Sequence, residues 1–252
     1  GVWLLVRHYT LVGALLLNVL LLYLTLGFRQ FSHFFTDIRD ALVRGEEDRA
    51  RELLAEWRHL DASELPRTEL LRHVIEHALL AAHRHVFGVF FWFVVLAALG
   101  LGPLGAVLYR MLDVPANADL LTVARRAFNL IDHLPARLTA FGFAVVGNFE
   151  EAVACWRRDA ALWAYVNEGI ILAAAAGAVG VQLGGAAAPG VTPDRSKTFA
   201  SGLETDRAGA AGTTPGVPPH TGHLQSVVAL VWRSVVLWML LLALLSLANL
   251  IG

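Results

Sequence analysis

The feature that most constrains this chain is an almost unbroken apolar run from Tyr9 to Phe28, relieved only by Thr10, Asn18 and Thr25. A helix rises about 1.5 Å per residue, so about 20 such residues match the roughly 30 Å hydrocarbon core of a bilayer. Arg7 and His8 precede the run and Arg29 follows it, as charges bracket a membrane span. A cleaved signal peptide would have a shorter apolar region and a small-residue cleavage site, and neither is seen here. Composition agrees. Hydrophobic residues make up 56% and charged residues 16%, where a soluble domain carries about 45–50% and about 25%. The net charge of -1 gives no reason to expect a nucleic-acid partner, and the single cysteine, Cys155, excludes a disulfide within the chain. The opening residues read as the middle of a longer sequence, so further N-terminal sequence is expected.

Residues 1–28 are therefore expected to form a first transmembrane helix and 29–85 a polar helical insert. In the insert Phe31, Phe34, Phe35 and Ile38 have the spacing of an interfacial helix. Gly45 punctuates the chain. Glu46, Glu47 and Asp48 then favour a new helix start, with Ala50, Leu53, Leu54 and Trp57 as its apolar face. Ser63 and Pro66 open a further helix that runs into the next apolar segment.

That segment, residues 86–112, has spanning length but is interrupted by Gly100, Gly102, Pro103 and Gly105. It is expected to be one broken or kinked transmembrane helix, with a re-entrant hairpin as the alternative. Residues 113–185 read as amphipathic helices. Pro135 opens a segment whose apolar part, Leu138–Val146, is too short to cross; Asn148 and Glu151 form a capping box; and the Ala/Gly-rich stretch from Tyr165 to Gly185 is a candidate for a tightly packed membrane helix. Residues 186–225, dense in Pro, Gly, Ser and Thr, are expected to be a disordered linker. Residues 226–252 form the last span, with Arg233 snorkelling and Trp232 and Trp238 in an aromatic belt. Arginines flank both sides of the spans in similar number, so charge does not set orientation. The fold class is all-α: a polytopic helical membrane protein with interfacial helices.

Three groups of residues can carry chemistry. His73-Val74-Ile75-Glu76-His77 is an H-x-x-E-H sequence, the inverted zinc-protease signature, in which His73 and His77 share a helix face beside Glu76. Glu150 or Glu151 would have to supply a third ligand. The same residues also form a continuous polar stripe with Glu69, Arg72 and Arg84, as on the wet side of a helix approaching a membrane, and that reading is preferred. The second group comprises polar residues beside apolar sequence in two separate clusters: His83-Arg84-His85 at the water–lipid boundary, where snorkelling and headgroup contact is the preferred reading over a polar rim above a site, and Asp132, His133 and Arg137, a charge network around Pro135. The third is Asn148, Glu150 and Glu151. There is no P-loop, dinucleotide fingerprint or G-x-S-x-G.

Several segments in combination resemble the CobD/CbiB superfamily, which includes the AmpE proteins: EHALLAAHRHVFGVFFWF followed by GPLGAVLYR, then IDHLPARLTAFGFAVVGNFEEAVACWR, then the C-terminal apolar anchor. The resemblance covers roughly residues 1–185 and the last span. It implies a multi-pass protein of the bacterial inner membrane. It also implies one of two roles. CobD/CbiB proteins are amide-forming synthases that attach an aminopropanol arm to adenosylcobyric acid, which would bring in Mg-ATP and a corrinoid. AmpE proteins are linked to β-lactamase regulation. The synthases carry an acidic E-N-x-x-D-G element just before the Phe-Trp of this span. Here the stretch reads Leu80-Ala81-Ala82-His83-Arg84-His85, without either acid. Phosphate-activating chemistry uses carboxylates to hold Mg²⁺, so the resemblance, together with the GEEDRARELLAEW insert, points to an AmpE-like protein with a sensing, regulatory or binding role. A cobinamide-phosphate synthase is the alternative and a zinc hydrolase a second one. The expected partners are the lipid bilayer and a protein or small ligand at the 29–85 insert.

Overall fold

The computed structural model describes residues 28–58, 63, 65–101, 104–113, 121–185 and 212–251. The first expected span, Tyr9–Phe28, lies essentially outside these residues. Among the described residues nine α-helices follow one another: α1 Phe28–Arg44, α2 Glu47–Arg58, α3 Arg67–Ala82, α4 Gly88–Ala98, α5 Leu104–Asp113, α6 Leu121–Val146, α7 Phe149–Asp159, α8 Val166–Val179 and α9 Thr221–Ile251, with a π turn at His83–Phe87 and a 3₁₀ turn at Ala160–Leu162. Among the described residues the extended pairing is limited to two isolated bridges. Two helical stretches among the described residues are long and apolar enough to cross a membrane, Arg67–Ala98 and Thr221–Leu244. This is an all-α membrane protein.

The chain divides into two compact units, Gly1–Phe31 with Ala81–Pro135, and Ser32–Leu80 with Ala136–Gly252. In the second unit α1 buries Phe35, Ile38, Ala41 and Leu42, α2 buries Ala50, Leu53 and Leu54, and α3 buries Leu70, Leu71, Val74, Ile75, Ala78 and Leu79. These positions recur every three or four residues, so each helix turns one apolar stripe inward. Gly45, at φ 80°, ends α1, and the Glu46 N–H returns to the Ala41 carbonyl at 2.9 Å. A left-handed residue one past the helix is needed to aim that bond, which is why glycine stands there. Trp57 joins the insert to α3: it stacks on Phe34 at 6.2 Å between ring centroids and meets His77 edge-on at 4.3 Å.

α8 is the core of this unit. Its buried run extends from Gly169 to Gly177, and a cluster of Ala140, Ile170 and Ala174 is covered by Trp156 and Ala160. Small residues let backbones meet: a Cβ on Gly177 would lie 2.3 Å from the Glu151 carbonyl oxygen, and one on Gly169 would lie 2.0 Å from that of Ala160. At 14 residues, about 21 Å at the helical rise, α8 is shorter than a crossing requires. It is a buried packing helix instead. The end of the expected linker is ordered. Val181 bridges Val217 and Gly184 bridges Thr213, the Thr214 N–H reaches the Leu183 carbonyl at 2.8 Å, and α9 begins at Thr221, ahead of the expected Ser226. The absence of hydrophobic period in this stretch signalled no helix, but hydrogen bonds to the turn after α8 give 212–220 a fixed place. Residues 186–211 lie outside the described ones. Along α9, Trp232, Val236, Met239, Leu240, Leu241 and Leu244 are exposed, as suits a helix surrounded by lipid.

In the first unit the expected single kinked span over 86–112 is replaced by a helical hairpin. Gly100, at φ 77°, ends α4, and the Leu101 N–H closes on the Leu96 carbonyl at 2.9 Å. α5 then returns along α4. Gly88 faces the Tyr109 ring and Gly105 faces the Trp92 carbonyl, where added Cβ atoms would lie 2.3 and 2.0 Å away. Gly88 and Gly105 are therefore contact points between the two arms. Val89, Ala106 and Tyr109 form the buried centre, against Trp92, Phe93, Phe128 and Ile131.

Candidate functional site

The hairpin encloses a polar centre. At His83–Phe87 the long apolar helix widens into a single π turn. Such a bulge admits an extra residue and re-aims side chains, and it recurs at functional sites. Here it accompanies an inward-facing, 1% exposed His83. Its Nε2 lies 2.8 Å from Oδ1 of Asp132 on α6, and the Tyr109 hydroxyl on α5 donates to the same oxygen at 2.7 Å. Asp132 is itself 4% exposed. Burial pushes its carboxyl group upward in pKa, but His83, the Tyr109 hydroxyl and Arg84 together outweigh burial and hold it below the ordinary carboxylate value. The group is therefore ionised at neutral pH. A carboxylate only accepts, so His83 presents Nε2–H to it.

The neighbouring bases belong to the same hairpin. The Arg110 guanidinium on α5 contacts Nδ1 of His85 on the π turn, and Arg84 stands between His83 and His85; Arg84, His85 and Arg110 are all half-buried. Pro135 was expected to open a helix, yet α6 runs through it. Proline has no N–H to offer the carbonyl four residues earlier, which is that of Ile131. The Trp92 indole N–H supplies the missing donor, 3.3 Å from that oxygen. The same residue satisfies the proline break and joins α4 to α6 one position from Asp132.

The expected site residues divide between the two units. Arg84, Asp132 and His133 lie in the first, where Asp132 is the centre of the network and His133, next to it on α6, is exposed. Arg137, Asn148, Glu150 and Glu151 lie in the second. Arg137 is half-buried. Asn148 caps α7, its Oδ1 accepting the Glu151 N–H at 3.3 Å, and Glu150 and Glu151 are exposed in the first turn. Beside them is a cavity of about 270 Å³ lined by Asn148, Glu151, Cys155, Gly180, Pro215 and Gly216. Burial and then Asp159 push the Cys155 thiol up to about 11, so it is no ready nucleophile.

The zinc reading of His73, Glu76 and His77 does not fit this structure. The Glu76 carboxylate accepts the Gly184 N–H at 2.9 Å, and His77 is packed against Trp57. Among the described residues no three His, Cys, Asp or Glu side chains gather as a metal site requires. The polar-stripe reading is corrected too. Arg72 and His73 are 6% and 8% exposed, and Arg72 bonds the Gly184 carbonyl and Glu69. These side chains clamp the loop after α8 and are not a wet helix face. Sequence reasoning gives Tyr109 and Arg110 no place among the candidate residues and does not pair His85 with either. Strong bases next to uninterrupted apolar sequence were the available signal.

Comparison with known proteins follows the same elements. A family profile described as CobD/Cbib protein matches residues 122–204, which include Asp132 and all of α7 and α8. The chain is 33% identical over 236 residues to "Cobalamin biosynthesis protein CobD" of Stutzerimonas stutzeri, covering 90% of this chain and 72% of that protein. It is 37% identical over 182 residues to the protein of the same name from Chromobacterium violaceum, covering 69% and 57%, and 28% identical over 187 residues to that of Leptospira interrogans, covering 68% and 57%. No solved structure matches. The expected sensing or regulatory role is overturned by these relatives, which are named for a biosynthetic pathway, and the matches carry nothing specific to an AmpE-like branch. A likeness at 33% identity that extends over nine-tenths of the chain, with a profile match over residues 122–204, establishes that this chain belongs to the CobD/CbiB family.

Proposed function

We propose that this protein acts in cobalamin biosynthesis as a multi-pass protein of the bacterial inner membrane, and that its activity is the amide-forming synthesis of a cobinamide phosphate. The observation that supports this most directly is the 33% identity over 236 residues to a protein named for cobalamin biosynthesis. A buried, ionised Asp132 beside an apolar span adds to it, since such groups are costly within a membrane protein and are kept where they serve a site.

The described residues do not make a carboxylate cage for Mg²⁺. Asp132 is engaged by His83 and Tyr109, Glu76 by the Gly184 N–H, and the stretch from Leu80 to His85 lacks the synthases' acids. What these residues do is hold an oriented set of donors at the hairpin, with Arg84, His85 and Arg110 at its edge. The test is complementation. A bacterium deleted for its own CobD and forced to grow on cobalamin made de novo from cobyric acid should grow when it carries this protein with its full native N-terminus. It should not grow with Asp132→Ala, provided that variant accumulates in the membrane. Failure of the wild-type protein to restore growth while it is present in the membrane would sink the synthase reading.

A further inference from the structure

The hairpin of α4 and α5 is apolar along both arms, yet protein does not close it in. Over residues 86–108 the sequence has no charged residue, and Trp92 is the one side chain with a polar atom. Residues 90–97 of α4 are all half-buried, so the helix turns no polar side to water anywhere round its circumference. A helix that is hydrophobic all round belongs in a protein core or in lipid. At the turn, exposure rises: Leu99 is 69%, Leu101 50% and Leu104 45% exposed, and Leu108 and Met111 continue the exposed line along α5. The turn also closes its own backbone. The carbonyls of Val95, Leu96 and Ala97 accept from the N–H groups of Leu99, Leu101 and Gly100 at 3.2, 2.9 and 3.0 Å. Water satisfies such groups at a solvated turn; hydrocarbon cannot, so a turn set in lipid must satisfy them itself.

The dimensions agree. α4 has 11 residues and α5 has 10, about 16 and 15 Å at the helical rise, half of the roughly 30 Å hydrocarbon core. Arg67–Ala98 has the length to cross, but Arg84 and His85 fall within it, and only the part after them is free of charge. In a single crossing His85 and Arg110 would stand on opposite faces of the membrane; here they touch. The contacts of Asp132 with His83 and Tyr109 lie at that same open end of the hairpin.

We propose that the α4–α5 hairpin is re-entrant: it enters one leaflet, turns at residues 99–101 near the bilayer midplane, and leaves by the face it entered, with acyl chains covering its exposed apolar surface. Arg84, His85 and Arg110 then mark a single water–lipid boundary. The ionised Asp132 lies at that boundary and not at the midplane, where a charge costs far more.

The test uses the full chain in native membrane vesicles, in a Cys155→Ser background that removes the single cysteine. Cysteines are introduced one at a time at Glu52, exposed on α2, at Leu99 and Leu101, and at Asn117, beyond the hairpin in sequence. No apolar run of spanning length separates Glu52 from His85. With a membrane-impermeant maleimide, Glu52→Cys and Asn117→Cys should label from the same face, and Leu99→Cys and Leu101→Cys from neither until detergent unfolds the protein. Labelling of Glu52→Cys and Asn117→Cys from opposite faces would establish a single crossing and overturn the proposal, as would labelling of the tip cysteines in intact membranes. A nitroxide on Leu99→Cys, Leu101→Cys or Met111→Cys distinguishes lipid from a protein cover. In lipid, the ratio of oxygen collisions to those of a water-soluble nickel chelate should be highest at the two tip positions and fall several-fold at Met111. Low collision with both reagents at the tip would place a protein partner there and overturn the lipid assignment. Both tip side chains are already exposed, so cysteine at either leaves the packed centre of Val89, Ala106 and Tyr109 in place.

Discussion

The proline in the middle of α6 offers the sharpest test of how this unit is held together. Pro135 removes the donor that the Ile131 carbonyl would have had, and Trp92 replaces it from α4 at 3.3 Å. Trp92→Phe keeps most of the ring and loses the N–H. An unsatisfied buried carbonyl costs about 1–3 kcal/mol; this one is half-buried and its 3.3 Å bond is long, so the lower half of that range applies, about 1–2 kcal/mol. Lost indole packing adds an amount that the single variant cannot separate. Pro135→Ala separates it, because alanine restores an N–H that can reach Ile131 within the helix. In the Pro135→Ala background, Trp92→Phe should therefore cost less than in the wild type by about 1 kcal/mol, and that difference is the coupling energy of the cycle. For a chain of 150–250 residues 1 kcal/mol shifts the midpoint by about 2–4 °C. Thermal denaturation of the four proteins in one detergent reads it directly. Equal losses from Trp92→Phe with and without Pro135 would refute the claim that the indole exists to satisfy the proline break, and would leave it a packing residue.

Two further outcomes follow from the titratable groups. Asp132 has a folded-state value below its unfolded one of about 3.9. Its stabilisation is therefore complete above the unfolded value and lost as pH falls through the folded one. Asp132→Asn should lower the midpoint at pH 7 and flatten the acid side of the stability profile below about pH 4; an unchanged acid slope would contradict the assignment of an ionised carboxylate there. Cys155, with its thiol raised to about 11 and its side chain buried, should react with iodoacetamide at pH 7.5 far more slowly in the native protein than after unfolding. Equal rates would show that the thiol is neither buried nor raised.

What was legible in the sequence depended on whether one segment sufficed to show it. The amphipathic stripes of α1 and α2 and the Asn148 cap were readable, because a helix face or a cap is written in residues three or four apart. The hairpin of α4 and α5 was not readable in the same way. Glycine and proline in an apolar run announce a break, but whether the chain bends or returns depends on what meets it, and here Gly88 meets Tyr109 from twenty-odd residues later. The site shows the same limit. Arg84 and Asp132 drew notice as charges near apolar sequence, but Tyr109, a residue of ordinary amphipathic character, becomes chemically important only because three helices bring it to one carboxylate oxygen. Glu76 and His77 of the H-x-x-E-H sequence illustrate the converse: the spacing suited a metal, and their partners, Gly184 and Trp57, lie in other parts of the chain.

Several departures from local rule fall together: a π turn, a proline inside a helix, two glycines under close backbone or ring contact, and a buried carboxylate all lie within one hairpin and the helix laid against it. Each costs stability by itself. Sequences that fold well keep local and global preferences consistent except where function demands otherwise. The compensations are also specific. Trp92 serves the proline, Tyr109 and His83 serve Asp132, and Arg110 serves His85. A hairpin meant only to sit in lipid would be more stable with apolar side chains of equal volume at these positions, since a buried ionic network seldom outperforms hydrophobic packing. Keeping the network at that cost is intelligible if these side chains must be held rigidly for the protein's activity, which makes the stability of Asp132 variants and their ability to complement two separable readouts of one design.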